Sequence, residues 1–139
     1  MEFISAMEFL KQREEVQVVL LDWFNENLSY YDLVQSGIEK MLYRDYLRRI
    51  EINSDSYPLF TEGQLRKFIG DKTGFDMSCR FEEYDSPYIN DTYYIALYNK
   101  KSHKVEHTHE IEVDDLLQAY WKVACEIAKE SVENERMEM

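Results

Sequence analysis

Apolar positions recur every three to four residues from Ala6 to Leu28. Phe9, Leu10, Val16, Leu20, Leu21, Trp23, Phe24 and Leu28 gather on one broad face, with Lys11, Glu15, Asp22 and Glu26 opposite. This spacing predicts one amphipathic helix, although Val16–Leu21 taken alone would suit a strand. Ser29 is placed to cap a second helix, with Asp32 in its first turn. Leu33, Val34, Ile38, Met41, Leu42 and Tyr46 carry that helix across 30–51, and the polar stretch 53–58 reads as a loop. Thr61 with Gln64 forms a capping-box pattern for a third helix over 62–70, bearing Leu65, Phe68 and Ile69 and stopping near Gly70.

After Gly74 the apolar period changes from 3.6 to 2. Met77, Cys79 and Phe81 alternate with Ser78, Arg80 and Glu82, Thr92–Tyr98 forms a second strand, and Asn99–Ser102 has turn chemistry. A third strand places Val105, His107, His109, Ile111 and Val113 on one face. Asp114 or Asp115 then caps a final helix whose stripe is Leu116, Leu117, Tyr120, Trp121, Val123, Ala124, Ile127 and Ala128. The expected fold is a single α+β domain over 1–139, in two layers. It has three N-terminal helices, a three-stranded antiparallel meander, and a long C-terminal helix packed on the sheet.

Composition fits a globular chain, with 45% apolar and 32% charged residues. Cys79 and Cys125 fall in different elements, which argues against a disulfide framework and for a cytoplasmic setting. No apolar run reaches the roughly 20 residues of a membrane span. Met1-Glu2-Phe3 repeats as Met7-Glu8-Phe9, so residues 1–6 read as an expression scar before a start at Met7. Residues 131–139 are expected to fray.

Charge changes the picture most. The 139 residues carry 28 Asp and Glu against 16 Lys and Arg, a net −12. Residues 1–39 hold two bases and eight acids, 40–80 hold eight and six, and 81–139 hold six and fourteen. An acidic surface suits a basic protein and can occupy a groove built for phosphates; the plain alternative is solvated surface. The middle stretch supplies the exception. Lys40, Arg44 and Arg48 recur every four residues, and on a helix they would form one basic ridge. With Arg66, Lys67 and Lys72 on the next helix, the two basic helices 30–51 and 62–70 offer a DNA-binding alternative. The whole-chain charge opposes it, and pairing with the chain's own acids accounts equally for the ridge.

His107 and His109, two apart on a strand, would both reach one metal ion, with His103 and Cys79 as further candidates. Two ligands do not make a site, so no metal or other cofactor is expected. The eleven tyrosines include a run beside acids, and Glu82, Glu83, Tyr84, Asp85, Tyr88 and Asp91 form a base-free acidic-aromatic stretch around a loop. Nucleophile elbows, phosphate-cradling glycine loops and zinc-protease motifs are lacking, so catalysis is not expected. The expectation is a non-enzymatic acidic protein that docks through Glu82–Asp91 on a basic surface of a partner protein, nucleic-acid-binding proteins included. It would act in the manner of small defence inhibitors or immunity proteins, without contacting nucleic acid or membrane directly. The acidic final helix, with Glu126, Glu130 and Glu133, is the next candidate surface.

Overall fold

A computed structural model describes residues 2–48 and 56–138. In chain order the elements begin with α1 (Ala6–Leu10), α2 (Glu14–Glu26), β1 (Leu33–Ser36), β2 (Glu39–Leu42), α3 (Tyr43–Leu47) and β3 (Ser56–Pro58). They continue with α4 (Glu62–Thr73), β4 (Asp76–Glu82), β5 (Thr92–Tyr98), β6 (Val105–Ile111) and α5 (Leu116–Glu138). The strands form two antiparallel sheets, in the orders β2-β1-β3 and β4-β5-β6. Helices and antiparallel sheets are thus mixed, as the sequence predicts, and among the described residues no helix is long and apolar enough to cross a membrane. The chain divides into two compact units, Met1–Thr61 with Ala128–Met139, and Glu62–Ile127.

In the first unit the expected helices are redrawn. The Ala6–Leu28 helix is broken after Leu10, where the Gln17 amide donates to the Leu10 carbonyl at 3.2 Å and to the Gln12 carbonyl at 2.8 Å. The helix expected over 30–51 is instead the β1–β2 hairpin followed by the five residues of α3, and its end at 49–51 lies outside the described residues, as does 53–55 of the expected loop. Ser36 pairs with Glu39, leaving Gly37 and Ile38 as a two-residue turn. Gly37 has φ +62° and Ile38 has no positive φ, which is the pattern of a II′ hairpin turn. β3 pairs with β1 on its other side, Val34 opposite Pro58.

Val34, Leu20, Trp23, Phe24, Leu59 and Phe60 are buried, with Phe60 set edge-on to Phe24 at 5.4 Å between ring centres and tilted to Phe9 at 6.3 Å. The segment 2–6 contributes to this core: Ile4 is fully buried and its N–H donates to the Phe60 carbonyl at 2.8 Å. Ser5 caps α1 by accepting from the Glu8 N–H. The stretch from Ser131, expected to fray, is helical through Glu138, and Arg136 is ion-paired to Glu15 on α2.

In the second unit α4 does not stop at Gly70. It continues to Thr73, and Gly74 at φ +74° ends it, with the Gly74 N–H on the Gly70 carbonyl at 2.8 Å. The meander follows. Register puts Met77, Cys79 and Phe81 on one face with Tyr93, Ile95 and Leu97 and with His107, His109 and Ile111. Arg80, Glu82, Tyr94, Tyr98 and Glu110 share the other face. A register shift beside Leu97 and Tyr98 sets Val105 opposite Tyr98, so Val105 leaves the histidine face on which the alternation placed it, and it is exposed. Asp115 is the cap of α5, accepting from the Leu117 N–H at 2.9 Å. Leu65, Phe68, Ile69, Ile95, Leu97, Leu117, Tyr120, Val123 and Ala124 are among the buried residues of this unit's core.

Candidate functional site

The acidic-aromatic stretch runs from Glu82, the last residue of β4, through the connection to β5, and hydrogen bonds bring Glu82, Tyr84 and Asp91 together there. The loop is closed across its neck. The Tyr84 N–H donates to Asp91 Oδ1 at 3.0 Å, and the Tyr84 hydroxyl donates to Glu82 Oε2 at 2.7 Å. The Tyr94 hydroxyl lies 2.8 Å away, and either hydroxyl can be the donor between the two tyrosines. Hydrogen bonding with Tyr94 first and Glu82 second holds the proton and raises the Tyr84 hydroxyl pKa above the usual tyrosine value. Asn90 anchors the far limb by donating to Glu112 Oε2 at 3.1 Å, and the Tyr88 N–H donates to Ser86 Oγ at 3.2 Å.

This network sorts the carboxylates. Glu82 also accepts an ion pair from Arg80 at 3.2 Å, and the Arg80 guanidinium lies 4.7 Å from the centre of the Tyr94 ring. The stretch is free of bases in sequence but not in space. Glu82 and Asp91 hold the loop's shape, while Glu83 and Asp85 are exposed and make no ion pair among the described residues. Tyr88 projects from the tip, 93% exposed, with Ile89 beside it at 52%. Sequence reasoning passed over Ile89, although an isoleucine inside Pro87-Tyr88-Ile89-Asn90 was a visible signal. What the arrangement offers is a held-open loop with an apolar tip and two free carboxylates at its shoulder.

The basic ridge is not a helical ridge. Lys40 lies on strand β2, its ammonium 5.2 Å from the Phe3 ring centre. Arg44 is in α3 and Arg48 is the residue that caps its end. These two arginines instead line a cleft with Tyr30, Tyr31 and Leu47, a grouping the helical reading of 30–51 hid.

His107 and His109 are neighbours, their rings 4.3 Å apart between centres and nearly perpendicular. The Nε2 atom of His109 is buried and accepts or donates no hydrogen bond among the described residues. Burial first, and then His107, lower the His109 pKa, while Glu126 pulls it up. Cys79 and His109 flank Ile95 from opposite sides, two strand spacings of about 4.8 Å each, too far for one ion. His103 sits at φ +57° in the β5–β6 turn, with its N–H on the Asn99 carbonyl. Among the described residues no group of three or more His, Cys, Asp or Glu side chains could hold a metal ion. Neither cysteine is in a disulfide, and burial raises the Cys79 thiol pKa, against a hydrogen bond with Tyr120 that lowers it.

The chain matches no protein-family model, no curated protein and no solved structure.

Proposed function

We propose that this protein works by binding, presenting the β4–β5 loop to a basic surface of a partner protein in the cytoplasm. A partner with a phosphate-binding groove suits best, since carboxylates placed where phosphates would lie turn the groove's own chemistry to inhibition. The observation that carries this reading is Tyr88, nearly fully exposed at the tip of a loop whose neck is fixed by Tyr84, Asp91 and Glu82. A large apolar side chain on a rigid support loses little entropy when a partner buries it. Glu83 and Asp85 supply long-range attraction, and the chain's net −12 reinforces it.

The test separates those roles. A partner is captured from host lysate with nuclease present, and its binding kinetics are then measured. Reversing Glu83 and Asp85 to Lys slows association by about tenfold and flattens its salt dependence. Tyr88→Ala acts on dissociation, weakening Kd by about thirtyfold, the loss of about 2 kcal/mol typical of an aromatic anchor. If every captured partner vanishes with nuclease, or binds the triple variant at unchanged rates, the loop is not the interface. The exposed acids Glu126, Glu130 and Glu133 of α5 are then the next surface to vary.

A further inference from the structure

The cleft between the Tyr30–Tyr31 turn and α3 has a volume of about 370 Å³ and is lined by Tyr30, Tyr31, Arg44, Leu47 and Arg48. Its two walls are built and tied together. Ser29 and Asp32 clamp the turn from both ends: the Ser29 N–H donates to Asp32 Oδ2 at 2.8 Å, and the Tyr31 N–H to Ser29 Oγ at 3.2 Å. The turn is then bound to the start of α3, with the Arg44 N–H on the Tyr30 carbonyl at 2.9 Å and the Tyr43 N–H on the Asp32 carbonyl at 2.8 Å. On this frame two tyrosines stand 64% and 69% exposed. The Arg44 guanidinium lies 5.4 Å from the Tyr31 ring centre, and its ion pair with Asp45 is long, at 3.8 Å. Arg48 makes no ion pair among the described residues. In a chain with twelve more acids than bases, a cleft lined by two arginines and no carboxylate is a local reversal of sign.

We propose that this cleft binds a nucleoside monophosphate group, its planar base stacked on Tyr30 and Tyr31 and its phosphate held by Arg44 and Arg48. Exposed tyrosine rings are stacking platforms for any base, and guanidinium groups match phosphate oxygens in pairs. The volume stands near the lower end of small-molecule sites, enough for one base and one phosphate rather than a longer strand. The net charge of the whole molecule points the same way, because each added phosphate is repelled by the surrounding acids. The phosphate and base can belong to a free nucleotide or to the end of a strand. This site is separate from the β4–β5 loop and stands or falls independently of it.

The experiment is a titration of the full chain, followed by backbone amide NMR shifts, with adenosine monophosphate, adenosine, ribose 5-phosphate, inorganic phosphate and a 5′-phosphorylated single-stranded tetranucleotide. The monophosphate is expected to saturate, with shifts centred on 30–31 and 44–48. Adenosine and ribose 5-phosphate each bind at least about tenfold more weakly, since each lacks one half of the recognition. Arg44→Gln, Arg48→Gln and Tyr31→Ser each weaken the monophosphate by about tenfold or more, with the rest of the amide spectrum unchanged as the check on folding. A tetranucleotide bound as tightly as the monophosphate assigns strand ends, and one bound more weakly assigns free nucleotides; either supports the site. Three results overturn it: no saturation by the monophosphate up to about 10 mM, equal affinity for inorganic phosphate, or affinity unaltered in folded Arg44→Gln and Arg48→Gln variants.

Discussion

Glu82 holds the Tyr84 hydroxyl with one carboxylate oxygen and the Arg80 guanidinium with the other, so one side chain sets both the loop neck and the position of the nearest cation. At this scale the informative atoms are those that differ from their ordinary state. His109 is the sharpest case, with a buried Nε2 that has no hydrogen-bond partner among the described residues and a pKa below the usual histidine value because of burial and the neighbouring His107. Around the ordinary value of 6.5 the unfolded chain therefore binds more protons than the folded one, and stability rises with pH there. The contribution is present above about pH 6.5 and is lost as pH falls through that value toward the lower folded pKa. Thermal unfolding scans between about pH 7.5 and 5.5 should show the melting temperature falling with acid. His109→Gln should flatten that limb, whereas an unchanged slope would show that the ring is solvated. Glu126 opposes the shift, so Glu126→Gln should steepen the fall.

Among the elements, β5 is found where its pattern placed it, at Thr92–Tyr98, and β4 begins one residue earlier than Met77, because strict alternation over a half-buried sheet has few other solutions. α5 was legible for the corresponding reason, an apolar stripe held over several turns behind a capping Asp115. The segment 29–48 misled because Leu33, Val34, Ile38, Met41 and Leu42 satisfy a helical period almost as well as two short strands do. The deciding residue was Gly37, which costs a helix interior about 1 kcal/mol but frees a hairpin turn to take positive φ. Of the candidate sites, the tyrosine–carboxylate loop was visible as composition, and the Tyr31–Arg44 cleft was not, since residues thirteen apart meet only once the hairpin folds back. Gly37→Val tests the hairpin. A Cβ there meets nothing within 4 Å, so the cost is the backbone's alone, about 1–2 kcal/mol in urea unfolding. A neutral outcome would mean that the turn does not need its left-handed residue.

For the whole molecule, the field of a net −12 chain is set against its few cationic surfaces. With a Debye length near 8 Å, an isolated basic cleft cannot draw in a long polyanion past the surrounding acids. Purified protein should therefore show no salt-sensitive binding to duplex DNA at ~0.15 M ionic strength. Micromolar binding with a steep salt slope, lost on replacing Lys40, Arg44 and Arg48 by alanine, would restore direct DNA contact as the function. One last consequence follows from the order in which the chain is made. The unit Glu62–Ile127 is a continuous stretch, whereas the other is assembled from Met1–Thr61 and from Ala128 onward. The ion pair of Glu15 with Arg136 joins residues 121 apart. A ribosome adding about 5–20 residues per second finishes the inner stretch before the outer unit has its last helical turns. While residues 128–139 are being added, about 0.6–2.4 s at that rate, the nascent chain holds one unit with all of its sequence and another waiting for its end. Chaperones that bind apolar surface on nascent chains should find it in the earlier-made, later-completed half.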